Sequence, residues 1–149
     1  MTNKSRLSDQ LFKKLTRKNW RKRDTTSEPF VNMRNGKSRT MGVDAWAASI
    51  LKVGLSENVP KDVRNLFEVA QGAMCYGSLF YPLFTLGIEQ LHRVLEAAIK
   101  HKWKALGTPS NARSFYKRLA WLRDNGHITE KRFRQWNAGR ERRNSTGHA

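Results

Sequence analysis

The amino-acid sequence predicts an all-α protein. Apolar residues recur at intervals of three and four through the central stretch, and runs of alternating β-branched residues are missing. Helix starts and stops are also marked by Ser, Asp, Pro and Gly at the right places. With 149 residues the chain falls in the range of one domain and can bury a core. The expected organisation is a basic N-terminal extension or small helical subdomain over 1–55, followed by a helical bundle over 56–149.

Taken in order, residues 8–22 (SDQLFKKLTRKNWRK) predict a short basic helix, with Ser8 or Asp9 as cap and Leu7, Leu11, Phe12 and Leu15 along one face. Residues 23–42 lack a period and are rich in turn formers, so a loop is expected. Asp44 is placed to cap a helix through AWAASILKV that Gly54 closes. Ser56 or Asn58 then precedes Pro60, which suits a first helical turn. Val63, Leu66, Phe67, Ala70, Met74 and Cys75 form a buried stripe. Pro82 is expected to interrupt or kink the run SLFYPLF. A second central helix over about 84–104 carries Leu86, Leu91, Val94, Leu95, Ala98, Ile99 and Trp103 on its apolar side. A third, roughly 110–124, is seamed by Phe115, Leu119 and Leu122 and stops at Asn125-Gly126. Thr129 caps a short fourth with Phe133 and Trp136, and Ala138-Gly139 is expected to loosen the chain after it.

Charge narrows the partners. The net charge is +17, of which residues 1–40 carry +9, residues 41–111 only +1 and residues 112–149 +7. A near-neutral centre between basic flanks fits a core flanked by surfaces for an anion, and nucleic acid is the first candidate. In KKLTRKNWRKR, Lys13, Lys14, Arg17, Lys18, Arg21, Lys22 and Arg23 surround Trp20. Such residues bind phosphates while the ring stacks on an exposed base. Arg113, Lys117, Arg118, Arg132 and Arg134 are the second candidate set, with Arg123 and Lys131 beside them. A lone cysteine, Cys75, excludes an internal disulfide and a cysteine-based zinc site. His92 and His101 are nine apart rather than four, and GKS at 36–38 lacks the GxxxxG half of a phosphate loop. No metal and no cofactor are therefore expected. No apolar stretch resembles a signal peptide or a membrane span, which makes a cytoplasmic protein without membrane contact the expectation.

The last residues, RRNSTGHA, hold the chemistry. If they are helical, Asn144 and His148 share a face and Arg143 lies beside them. A guanidinium grips phosphate oxygens, an imidazole exchanges protons near neutral pH, and an amide orients either. The grouping suits an RNA phosphodiester, whose own 2'-hydroxyl supplies the nucleophile. A turn or a polar tail is the competing reading of the same residues, since Ser145, Thr146 and Gly147 favour turns.

Arg143, Asn144 and His148 match the signature of the HEPN family, an arginine followed after four to six residues by a histidine. The stretch FEVAQGAMCYGSLFYPLFTLGIEQLHRVLEAAIKHKW at 67–103 resembles the two long antiparallel helices that precede that signature. Together the resemblance covers about residues 57–149. It implies a HEPN-like antiparallel helical bundle and a metal-independent endoribonuclease working as a homodimer, often a toxin paired with an antitoxin or a phage-defence protein. Carried over, Arg143 holds the scissile phosphate, His148 transfers protons and Asn144 supports one of them. Glu89 or Glu96, on the second central helix, is the candidate to orient a side chain of this group. Two alternatives share the basic surfaces: a non-catalytic RNA- or DNA-binding module, and an interaction module bound by an acidic regulatory partner.

Overall fold

A computed structural model describes residues 12–27, 31–34, 37–108 and 114–146, with side chains over 12–26, 40–108 and 114–141. The described residues form five α-helices, α1 (Val43–Leu51), α2 (Lys61–Tyr76), α3 (Tyr81–Ala105), α4 (Phe115–Asp124) and α5 (Glu130–Thr146). They also form an antiparallel hairpin of β1 (Val31–Arg34) and β2 (Lys37–Thr40), in register Val31 to Thr40 and Arg34 to Lys37. The expected helical class stands, and the hairpin corrects the loop expected at 23–42.

Two compact units divide the chain: Met1–Gly54 with Glu68–Ile88, and Leu55–Phe67 with Glu89–Ala149. In the first unit, α2 and α3 approach as an antiparallel pair through glycines. A Cβ at Gly87 would stand 3.0 Å from the Ala70 carbonyl oxygen and 3.1 Å from the Met74 nitrogen, and one at Gly77 would meet the Phe84 Cβ at 2.6 Å. Helix α1 docks on this pair by its buried Trp46, whose ring lies 5.3 Å from Phe84 and whose Nε1 donates to the Met74 carbonyl at 2.8 Å. Gln71 then donates to the carbonyls of Ile50 and Val53 at 2.9 and 2.7 Å, satisfying the end of α1 that its own helix leaves open.

The N-terminal segment of the same unit differs most from expectation. Residues 8–11 lie outside the described residues, and 12–22 form irregular chain and turns instead of helix. Asn19 Oδ1 accepts from the Thr16 amide at 2.8 Å, a local bond that competes with helix. Lys13 Nζ donates to the carbonyls of Asn19, Lys22 and Leu79. A short 3₁₀ turn, Thr25–Ser27, follows. Asp24 is fully buried, and its carboxylate accepts from the amides of Tyr81 at 2.9 Å and Thr26 at 3.0 Å. It thereby caps α3 at a residue 57 positions away. Burial pushes the Asp24 carboxyl up, but those two amides, the Thr26 hydroxyl and the Lys13 charge together hold it below the usual carboxylate range. Pro82 therefore sits in the first turn of α3, where proline lacks nothing the helix needs, and no break occurs there.

The second unit has its core in Ile99, Leu119, Leu122 and Phe133, joined by Leu95, Phe115, Ile128 and Trp136. Ser114 caps α4 by accepting from the Lys117 amide, and Thr129 Oγ1 accepts from Arg132 at the start of α5. Gly107 and Gly126 take φ of +64° and +74° after α3 and α4, the left-handed conformation that glycine adopts without strain. Helix α5 runs through Ala138-Gly139 without interruption, contrary to the loosening expected there. Local propensity for a break is worth only about 1 kcal/mol, less than the packing of an apolar helix face.

Candidate functional site

Because α5 extends to Thr146, Arg143 and Asn144 lie on helical backbone in its last turns. Their side chains, and all of His148, lie outside the described residues. Arg140, one turn earlier, is described. Positions 136, 140 and 144 follow one face of α5, with 143 adjoining it. Arg140 Nε donates to Asn137 Oδ1 at 3.0 Å, and one terminal nitrogen stands 3.7 Å from Glu141. Asn137 in turn donates to Glu141 at 2.8 Å, so two linked side chains of α5 hold one guanidinium.

That guanidinium borders a cavity of about 10 Å³, lined also by His92, Leu95, Glu96, Phe115 and Trp136. Such a volume admits a single water. His92 and Glu96 are four apart on α3 and so point the same way along it. The α5 backbone comes against His92 through Gly139, where a Cβ would stand 2.8 Å from His92 Cε1. Of the two candidate carboxylates, Glu96 lines the cavity with Arg140, while Glu89 is exposed two helical turns earlier. Arg140 and His92 are not among the residues that the sequence alone assigned to this group. The available signals were Arg140 four residues before Asn144, and the matching interval between His92 and Glu96.

Among the other candidates, Lys14, Arg17, Lys18, Trp20, Arg21 and Lys22 are exposed on the first unit. The Arg21 guanidinium carbon lies 4.5 Å from the centroid of the Trp20 ring, leaving that ring 52% exposed. Lys13 and Arg23 are half-buried, and Lys13 is held by the three carbonyls described above. On the second unit Lys117, Arg132 and Arg134 are exposed, and Arg134 pairs with Glu130 at 2.8 Å. Arg118 stands over Trp103 at 5.7 Å, and Arg113 lies outside the described residues.

His101 pairs with Asp62 at 2.8 Å, tying the first turn of α2 to α3 within the second unit. Its hydrogen bond, outweighing desolvation and helped by its charge, holds the Asp62 carboxyl below the usual range. Burial pushes the Cys75 thiol up, which disfavours the nucleophilic thiolate. Among the described residues no three His, Cys, Asp or Glu side chains are grouped to hold a metal ion. No described helix is long and apolar enough to cross a membrane. Leu86, expected on the apolar side of α3, is 55% exposed and lines an open groove of about 420 Å³ with Phe12, Phe80, Tyr81, Pro82 and Thr85. Comparisons with models of known protein families, with curated proteins and with solved structures return no match for this chain.

Proposed function

We propose that this chain is a metal-independent endoribonuclease of the HEPN type. The observation that carries the reading is the unbroken α5, on which Arg140, Arg143 and Asn144 occupy neighbouring positions, with His92 and Glu96 of α3 against the first of them. In this reading Arg143 holds the non-bridging oxygens of the scissile phosphate and offsets the charge that develops there. His148 exchanges the proton as the ribose 2'-hydroxyl attacks phosphorus and the bond to the 5'-oxygen breaks. The products are a 2',3'-cyclic phosphate and a 5'-hydroxyl end, with no water consumed. Asn144 orients one of these groups, and Glu96 steadies the arginine-rich end of α5 from α3. A homodimer that sets two such motifs face to face belongs to the same proposal, as does control by an antitoxin or regulatory protein in a toxin or phage-defence role.

The test is cleavage of RNA in EDTA, with end analysis of the products. His148→Ala and Arg143→Ala should abolish cutting while leaving RNA binding largely intact. Wild-type protein that cuts no RNA, or an H148A variant that cuts as fast as wild type, would overturn the reading. The exposed basic residues around Trp20 support a second reading, RNA binding without cleavage. It predicts salt-dependent affinity and no products.

A further inference from the structure

Helices α4 and α5 share a row of side chains in which two arginines flank two aromatic rings. The Arg123 guanidinium carbon lies 4.1 Å from the centroid of the Phe133 ring. Phe133 meets Tyr116 at 6.0 Å with the rings inclined by 60°. Arg140 closes the row, its guanidinium carbon 5.2 Å from the Tyr116 ring. Three members are fixed. Phe133 is buried, Arg123 is bound by Asp124 at 2.8 Å and faces Glu130 at 3.8 Å, and Arg140 is pinned by Asn137. Tyr116 differs, because 42% of it is open to solvent although its neighbours hold it in place.

A ring that is both held and exposed, with a cation against it, is the arrangement that binds an unpaired base and its phosphate. We propose that Tyr116 and Arg140 form a subsite for single-stranded RNA, in which the Tyr116 ring stacks on an unpaired base and Arg140 grips an adjoining phosphate. Exposed Lys117 follows Tyr116 in the chain and adds charge on the same helix. Arg140 precedes Asn144 by one helical turn, about 6 Å of rise. The base held here therefore belongs to a nucleotide neighbouring the one whose phosphate is cut. A base inside a duplex cannot reach the ring, so the subsite selects single strands. This deepens the ribonuclease reading and rests on it for the choice of RNA as ligand and for the place of the base beside the cut phosphate.

The test uses a fluorescein-labelled single-stranded RNA made uncleavable by 2'-deoxy substitution, titrated by anisotropy across a salt series, with duplex RNA in parallel. Tyr116→Ala and Tyr116→Leu should weaken single-strand binding about 10-fold or more, within the range of one lost stack, at unchanged salt slope. Tyr116→Phe keeps the ring and should bind like wild type. Arg140→Ala should flatten the log–log salt slope by about 0.7, one phosphate on a single strand. Duplex affinity should be the same for wild type and Y116L. The subsite is refuted if Y116L binds the single strand within twofold of wild type, if it loses duplex affinity equally, or if wild type binds no single strand. Because binding is read without cleavage, the two proposals separate. Ring-dependent binding by a protein that never cuts keeps the subsite and sinks the nuclease. Cleavage with Y116L binding unimpaired does the reverse.

Discussion

Replacing Gly87 by alanine tests the closest approach of α2 and α3. In an open helical position a Gly→Ala change stabilises by about 0.5–1 kcal/mol, because it restricts the unfolded chain and improves helix propensity. Gly72 of α2 is such a position, since an added Cβ meets nothing within 4 Å. At Gly87 the new carbon would stand 2.4 Å from Met74 Cγ, 3.0 Å from the Ala70 carbonyl oxygen and 3.1 Å from the Met74 nitrogen. The Met74 side chain can turn away, but the two backbone atoms cannot. Comfortable contacts for carbon begin near 3.5 Å, so α3 must lift by roughly half an ångström. Overpacking of this kind costs about 1–3 kcal/mol, and the propensity gain offsets part of it. The net expectation is a loss of about 1–2 kcal/mol for Gly87→Ala against a gain of about 0.5–1 for Gly72→Ala. For a chain of this size each kcal/mol moves Tm by about 2–4 °C. Thermal and urea unfolding, followed by circular dichroism and tryptophan fluorescence together, measures both variants. A G87A protein as stable as wild type, beside a stabilised G72A, would show that the helices do not meet at Gly87.

Three further outcomes are expected. Asp24→Asn weakens the cap of α3 and should cost about 0.5–2 kcal/mol near neutral pH. Because the folded Asp24 carboxyl titrates below its unfolded value, its contribution is present above about pH 4 and fades as pH falls through the folded pKa. The gap in Tm between D24N and wild type should accordingly narrow in acid, and a gap independent of pH would refute the charge's role. Trp46→Phe removes the donor to the Met74 carbonyl and part of a buried ring, for an expected loss of about 1–3 kcal/mol in urea unfolding. Gly139→Ala should be neutral or destabilising alone because of His92, but stabilising by about 1 kcal/mol in a His92→Ala background. A double-mutant cycle with coupling below about 0.5 kcal/mol would mean that ring and helix do not touch.

Much of the helical architecture was legible because it depends on local spacing. Val63, Ala70, Val94, Ile99, Leu119, Leu122 and Phe133 are buried where the three-and-four pattern put them, and Thr129 and Asn125-Gly126 bound their helices as expected. What escaped depends on distant partners. The helical pattern at 12–22 lost to bonds that Lys13 and Asp24 make with residues near 80, which no local window contains. The hairpin had a readable signal in Asn35-Gly36 between two four-residue segments, outweighed by the lack of a period and the abundance of turn formers around it. Gly139 read as a helix breaker because its isolated cost was visible and its fit against His92 was not. At the candidate site, Arg143, Asn144 and His148 were nominated from residue types, their spacing and the helical pair upstream. The pairing of Arg140 with Tyr116, and the placing of Glu96 rather than Glu89 beside it, required helices to be assembled first.

The bond from Asp24 to the first amide of α3 also has a consequence in time. Asp24 leaves the ribosome well before Tyr81, so the residues that hold it are still unmade when it emerges. Closing a loop of 57 residues gains nothing until α2 and α3 have paired. The segment at 12–27 is thus synthesised early and seated late. Substitutions at Lys13 or Asp24 should hasten unfolding far more than they slow folding, as contacts formed after the rate-limiting step do.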